Sequence, residues 1–464
     1  MAQDQDKNWW NTEFSGADFG DLRLTKRLIH VTQKLADNPM ASIPQACGSW
    51  VETKAAYRFF DNDKVTADKI HEPHYRATKA RTQSYPVILA VQDTTQLNFT
   101  HHPATEGLGC LNTLDQQGFF YHPTLLVSPE KVPLGIIDHQ VWQRQPENFG
   151  KKHQRRQKLV EEKESQKWLH SLRQTARCQE EVPEVRLVNV ADREADIYDY
   201  FQLAQELDID VLVRAAWNRR IEQSERYLWE HMAQVPVCQT ITITVPRKSG
   251  KPAREAVLSI RFSQVDLRPP RYRSSDRSLQ PIPIWVVYAH EEEPPAGSAA
   301  ISWMLLTTVA VHTSQEAIDR VNWYTCRWQI ELLFKILKSG CKIEQLQLET
   351  FERLCRALAL YAIVAWRVLF LTMQSRSMRD IPCDILLEEE EWQALYCYIH
   401  KTPTPPSEPP TLLAATRMIA RLGGFLGRKS DGHPGATTVW RGLQRLADIV
   451  AAWSLGRRLA KSGR

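Results

Sequence analysis

The stretch Val185-Arg-Leu-Val-Asn-Val-Ala-Asp-Arg-Glu-Ala-Asp196 decides how the chain folds. Val185, Leu187, Val188 and Val190 make a short valine-rich apolar run, the composition of a buried strand, and it stops at Ala191-Asp192. A helical stretch from Ser165 to Ala176 precedes it, another from Asp196 to Leu207 follows, and Val211 to Val213 is a further strand. Upstream, Val87 to Val91 is a similar run that ends at Gln92-Asp93, within Ala90-Val-Gln-Asp-Thr-Thr95. More β-like runs lie at Thr124–Val127 and Pro133–Val141. Strands first in hairpin order, then alternating with helices, predict an α/β domain with a mixed sheet. Asp93 and Asp192 both stand just past a strand end, where open α/β sheets gather side chains at ligand crevices. Either one alone reads more readily as a turn or N-cap aspartate.

Further along, residues 222–300 change to an antiparallel pattern. Ile241, Ile243 and Val245 alternate with threonines, and Leu258, Ile260 and Phe262 alternate with polar residues. This segment reads as a β insertion. Met304 to Val309 returns to a core strand, and a single long helix is expected from about Ser314 to Ser339. At 100° per residue, Tyr324, Arg327, Glu331, Lys335 and Lys338 fall within about 80° of one another, on one polar stripe. In isolation such a stripe is a solvated face whose Arg327–Glu331 and Glu331–Lys335 pairs contribute only ~0.2–0.5 kcal/mol each.

Both ends of the chain read as helical. Leu24, Leu28, Val31 and Leu35 repeat at helical spacing near the N-terminus, followed by Thr53 to Phe60. Near the C-terminus, past a proline-rich linker at Thr402–Pro410, Trp440, Leu443, Ala447, Val450 and Trp453 form an apolar stripe expected to pack into a core. The expected division is a helical N-terminal domain at 1–75, a catalytic domain at 76–375 and a helical C-terminal domain at 376–464. The net charge of +5 permits a nucleic-acid partner. The basic residues concentrate at Arg144, Lys151, Lys152, Arg155, Arg156 and Lys158, and at Arg457, Arg458, Lys461 and Arg464. Nine cysteines without CxxC pairs read as reduced thiols, and the polar start Met1 to Asn11 reads as no secretory signal. The apolar run Ala357–Trp366 is too short to span a bilayer. A soluble, cytoplasmic protein is the expectation. Lys248-Ser-Gly-Lys-Pro252 lacks the glycine and hydroxyl spacing of a phosphate loop, so no ATP requirement is expected. A carboxylate-pair glycosidase would not need the cationic stripe.

Phosphodiester cleavage and transfer need an activated nucleophile and a stabilised leaving oxygen, tasks that two Mg²⁺ ions about 4 Å apart can share. Such ions take hard oxygen ligands, so three carboxylates suffice, and cations beside them would line a DNA backbone. The pattern Tyr324-x2-Arg327-x3-Glu331-x6-Lys338 resembles the Tyr-Arg-Glu-Lys signature of the insertion-sequence-four group of DDE transposases. Asp93-Thr-Thr95 and Asp192-Arg-Glu-Ala-Asp196 resemble its two aspartate motifs. The likeness is greatest to the transposon-five branch. It extends through Gly20–Leu28, Ala56-Tyr-Arg-Phe59, Arg327-Trp-Gln-Ile-Glu331 and Ile419–Phe425.

That resemblance implies an RNase H-like catalytic core and cut-and-paste transposition through a hairpin intermediate. Asp93, Asp192 and Glu331 would be both the catalytic residues and the ligands of two Mg²⁺ ions, with Mn²⁺ as a substitute. Tyr324, Arg327, Lys335 and Lys338 would hold DNA phosphates, and Trp303 would stack a flipped base. Arg27 and Arg58 match end-contacting arginines, and Arg214 and Arg219 match further DNA contacts. The expected partners are double-stranded end repeats, target DNA and a second copy of the chain in a synaptic dimer, with no membrane. The residues alone leave open a non-catalytic DNA-binding regulator, or a nuclease that cuts without joining.

Overall fold

The computed structural model describes residues 8–148, 164–222, 227–245, 254–270 and 279–462. Lys151, Lys152, Arg155, Arg156, Lys158 and the segment Lys248–Pro252 lie outside the described residues.

The chain opens with five helices: α1 (Trp9–Phe14), α2 (Leu22–Asp37), α3 (Ile43–Cys47), α4 (Trp50–Phe60) and α5 (Ala67–Thr82). Asp21, Ser42, Ser49 and Thr66 each cap the helix that follows by accepting a hydrogen bond from its first turn. These helices do not close on a core of their own. Phe14, Leu28, Phe59 and Ile70 belong to the same buried cluster as Leu89 and Val91 of the sheet.

The sheet begins with β1 (Val87–Gln92), β2 (Thr95–Asn98), β3 (Gly109–Cys110), β4 (Gln117–Val127) and β5 (Pro133–Trp142). Then come α6 (Gln166–Glu181), β6 (Arg186–Ala191), α7 (Tyr198–Glu206), β7 (Asp210–Arg214) and α8 (Leu228–Gln234). A meander of β8 (Gln239–Val245), β9 (Arg254–Leu267) and β10 (Ile282–His290) leads into β11 (Ser302–Thr307). The spatial order is β2-β4-β1-β6-β7-β11-β10-β9-β8, with β3 and β5 also on β4. Among the described strands, β1–β6 and β6–β7 pair in parallel and the other strand pairings are antiparallel. This is the mixed α/β sheet that the strand order predicts. The inserted strands do not form a separate layer: β11 pairs with β7, so they lengthen the central sheet and cover an edge that would otherwise be unpaired.

Both faces of the central strands are buried. Leu89, Val91, Val188 and Val190 face one cluster, while Ile88, Ala90, Leu187 and Ala191 face the other, beneath Trp168 and Leu172 of α6. That is why these strands read as unbroken apolar runs.

The single helix expected from Ser314 to Ser339 is instead three pieces. α9 (Ser314–Cys326) and α10 (Trp328–Lys335) meet at Arg327, and a π-helical turn occupies Ile336–Gly340. α11 (Phe351–Ser377) follows, capped by Thr350 and extending beyond its apolar run Ala357–Trp366 at both ends. Among the described residues it is the one helix long and apolar enough to cross a membrane, yet 83% of its most apolar window is buried in the fold. The chain ends with α12 (Glu389–His400), α13 (Leu412–Leu422) and α14 (Ala436–Ser462) around their own cluster. Trp440 of the apolar stripe is buried against Gly340, which joins this region to the end of the π turn.

Candidate active site

The parallel pairing of β1 with β6 matches Ala90 to Asn189 and Val91 to Val190. Carried two residues further, the same register sets Asp93 abreast of Asp192. Asp93 accepts from the Thr94 backbone N–H at 2.7 Å through Oδ1, and from Arg327 Nη1 at 2.8 Å through Oδ2. Arg327 Nη2 donates to Glu331 Oε1 at 2.6 Å. One guanidinium therefore joins a strand-end aspartate to a helix glutamate. Asp192 accepts from the Glu194 N–H at 2.8 Å, which caps the short 3₁₀ turn Arg193–Ala195 and fixes the carboxylate at the strand end. Burial pushes the Asp93 carboxyl up to about 6; Arg327 opposes this, and the negative charges of Asp192 and Glu331 add to it. Burial would lower the Arg327 guanidinium, but Tyr324, Asp93 and Glu331 outweigh it and raise it.

Among the described residues no group of three His, Cys, Asp or Glu side chains is already arranged as a metal cage. Arg327 supplies the positive charge between Asp93 and Glu331 instead. Asp93, Asp192 and Glu331 are hard oxygen donors whose charges already act on Asp93 together, and a cation compensates them. That donor set fits a divalent ion of the Mg²⁺ type.

Around the acids lies a partly buried ring of cationic and aromatic groups. Tyr324 is buried and meets Trp303 edge-on, with ring centroids 5.7 Å apart. Trp303 is half-buried at the start of β11. Arg214, at the end of β7, donates to the Ser302 carbonyl at 2.9 Å. Burial lowers its guanidinium, opposed by Tyr324 and reinforced by Arg193 and Arg327, so three arginines share this region. Lys338 is turned onto the Gln96 carbonyl at 2.5 Å and lies 3.7 Å from Glu344. The wide π turn rotates Lys338 towards β2, whereas Lys335 remains exposed. The stripe is thus not a straight rail.

The remaining candidate contacts are dispersed. Arg219 pairs with the fully buried Asp196, which also accepts from the Ala216 and Trp217 backbone N–H groups at 2.7 and 3.0 Å. Its guanidinium thereby holds the loop after β7. Arg27 of α2 pairs with Glu52 of α4 at 2.9 Å, and Arg58 is exposed on α4; neither adjoins the carboxylates. Sequence reasoning overlooked Asp196, and also a buried amide contact between Gln92 Nε2 and Asn189 Oδ1 at 2.5 Å, with Thr175 donating to the same oxygen at 2.9 Å. This contact ties β1, β6 and α6 together just behind the two strand ends. Its signal was present: Gln92 and Asn189 are polar residues inside otherwise apolar strands.

Comparison with protein families matches residues 6–65 to a transposase DNA-binding model, 162–367 to a transposase DDE domain and 363–463 to the transposase Tn5 dimerisation domain. The DDE match holds Asp192 and Glu331; Asp93 precedes it and joins them through β1. A DDE domain makes the chain a DNA-cleaving enzyme dependent on divalent metal, and the flanking matches give it DNA binding and homodimer formation. With all three modules in order along one polypeptide, the chain belongs to the Tn5-like DDE transposases.

Proposed function

We propose that Asp93, Asp192 and Glu331 form the catalytic centre of a cut-and-paste transposase. The observation that carries this reading is the Arg327 bridge, which joins Asp93 to Glu331 across 238 residues of sequence beside the strand end that bears Asp192. In the proposed reaction water cleaves one strand at the element's end, and the freed 3′-hydroxyl attacks the opposite strand to form a hairpin. A second water opens the hairpin, and the same 3′-hydroxyl then attacks target DNA. Each step exchanges one phosphate ester bond for another or for water, so no ATP is consumed.

The three carboxylates would hold two Mg²⁺ ions, or Mn²⁺ in their place; bound metal lowers the pKa of the attacking hydroxyl and stabilises the leaving oxygen. The chain's own groups position the DNA. Arg327 has a raised pKa and stays charged, so it can pass from the carboxylates to a phosphate. Tyr324, Arg214 and Lys338 would contact the same strand, with Lys335 further out. Trp303, half-buried beside Tyr324, offers an indole face on which an extruded base can stack during hairpin formation. Arg27 and Arg58 would contact the end repeats through the N-terminal helices, and Arg219 would act indirectly by holding its loop. Nine unpaired cysteines support action in the bacterial cytoplasm.

The direct test incubates the full chain with the element's terminal repeats, a target plasmid and Mg²⁺, and resolves nicks, hairpins and joined products on one gel. The reading requires all three species in that order and none in EDTA. Cleavage without hairpins or joining would reduce the protein to a nuclease.

A further inference from the structure

The pairing of β1 with β6 ends at Val91 and Val190. On their outer sides both strands stay paired one residue longer, Gln92 to Thr124 of β4 and Ala191 to Val213 of β7. Asp93 and Asp192 thus each lie two residues past the last pair that joins the strands carrying them. Across that gap Gln92 Nε2 donates to Asn189 Oδ1 at 2.5 Å, and the Thr175 hydroxyl of α6 reaches the same oxygen at 2.9 Å. Both amides are fully buried. By strand alternation they share the face of Ala90 and Ala191, opposite the one on which Asp93 meets Arg327. Stability does not account for this contact. Asn189 Nδ2 is buried without a hydrogen-bond partner among the described residues. One such unpaired group costs more than an ordinary hydrogen bond contributes, and apolar side chains of the same shape would avoid that cost. Apolar packing is non-directional, however, whereas a buried hydrogen bond fixes the distance between the atoms it joins.

We propose that Gln92 and Asn189 are positioning residues for the metal centre: their amide contact sets the separation of Asp93 and Asp192 and makes the centre selective for Mg²⁺ over the larger Ca²⁺. The proposal rests on the reading of Asp93, Asp192 and Glu331 as metal ligands. Mg²⁺ demands near-ideal octahedral geometry with oxygens about 2.0–2.1 Å away, while Ca²⁺ accepts a wider and more flexible shell. Two strand ends free to part would suit Ca²⁺ as well as Mg²⁺. Tied by the amide pair, and with Asn189 anchored in turn to α6 through Thr175, they keep one spacing. The tie touches neither metal nor DNA and acts only through the backbone of Gln92-Asp93 and Asn189–Asp192.

The test is Mn²⁺ binding to the full chain without DNA, read by electron paramagnetic resonance, with Mg²⁺ and Ca²⁺ added as competitors. Gln92→Met should weaken Mn²⁺ binding about 10-fold, as removal of a group that orients a metal ligand does. The Mg²⁺ affinity obtained by competition should fall by more than the Ca²⁺ affinity. Gln92→Met/Asn189→Leu removes both amides, while Thr175 keeps the Ser171 carbonyl at 2.9 Å. Its unfolding midpoint should be at least that of Gln92→Met, because no amide is left unpaired, yet its Mn²⁺ binding should stay weak. Metal affinity that returns with stability in the double variant would make the pair a packing device and overturn the proposal. So would wild-type Mn²⁺ affinity in Gln92→Met, and an equal loss of Mg²⁺ and Ca²⁺ would overturn the selectivity. Asp93→Ala that binds Mn²⁺ as the wild type does would instead overturn the metal-ligand reading beneath it.

Discussion

Asp196 and Asp192 lie four residues apart, and the structure gives them opposite surroundings. Asp192 is half-exposed at a strand end, with one oxygen on the Glu194 N–H. Asp196 is fully buried and saturated by Arg219 and two backbone N–H groups. Removing one partner of such a buried pair leaves the other charge uncompensated, at about 3–5 kcal/mol. Asp196→Ala should therefore lower the thermal unfolding midpoint clearly and expose the loop after β7 to protease. An unchanged midpoint would show that Arg219 is not held as described. From the sequence, nothing in Asp192-Arg-Glu-Ala-Asp196 gave Asp196 its structural role, because burial and the 23-residue reach to Arg219 exist only in the fold. Asp93 and Asp192 were legible because each ends an apolar run, and Glu331 because its helix carries Tyr324, Arg327 and Lys338 at a recognisable spacing. The Arg327 clamp on Asp93 was not legible, since no periodicity links α10 to β1.

At the scale of elements, the parallel pair β1–β6 and the broken helix α9–α10 do most to shape the site. The strands were readable from their composition. The interruptions were not, because a uniform 100° per residue anticipates neither the break at Arg327 nor the π turn at Ile336–Gly340 that turns Lys338 onto β2. The inserted strands were readable as antiparallel but not as an extension of the main sheet, which depends on β11 closing onto β7. That closure brings Trp303 to Tyr324. Trp303→Ala should slow hairpin formation by about 10-fold, the stacking of one base being worth ~1–3 kcal/mol, and leave the first nick nearly unchanged. Single-turnover gels separate the two steps, and an equal loss in both would refute the stacking role.

Across the whole molecule, the helical N-terminal region is tied to the sheet by a buried polar joint. Glu13 of α1 accepts from His74 and, at 2.9 and 3.0 Å, from Arg81, both on α5. His74 accepts at Nε2 from the Ile136 N–H of β5 at 2.9 Å, so its Nδ1 carries the proton given to Glu13. Burial alone would raise the Glu13 carboxyl, but His74 and Arg81 overcome it and hold it at about 2. A pKa depressed below the ordinary 4.5 contributes stability that is fully present above pH 4.5 and lost as pH falls through about 2. The contribution is roughly 3 kcal/mol. The stability gap between wild type and Glu13→Gln should therefore narrow between pH 5 and 2.5 in urea titrations, and a constant gap would contradict the joint.

The central claim is that Asp93, Asp192 and Glu331 act as one centre, and its most direct test is cleavage of end-containing DNA by the three single alanine variants. Each should lose at least about 10²-fold in cleavage rate, because several kcal/mol of transition-state stabilisation depends on the intact set. Binding to the same DNA should stay within a few-fold of wild type. Wild-type cleavage by any one of the three would contradict the assignment.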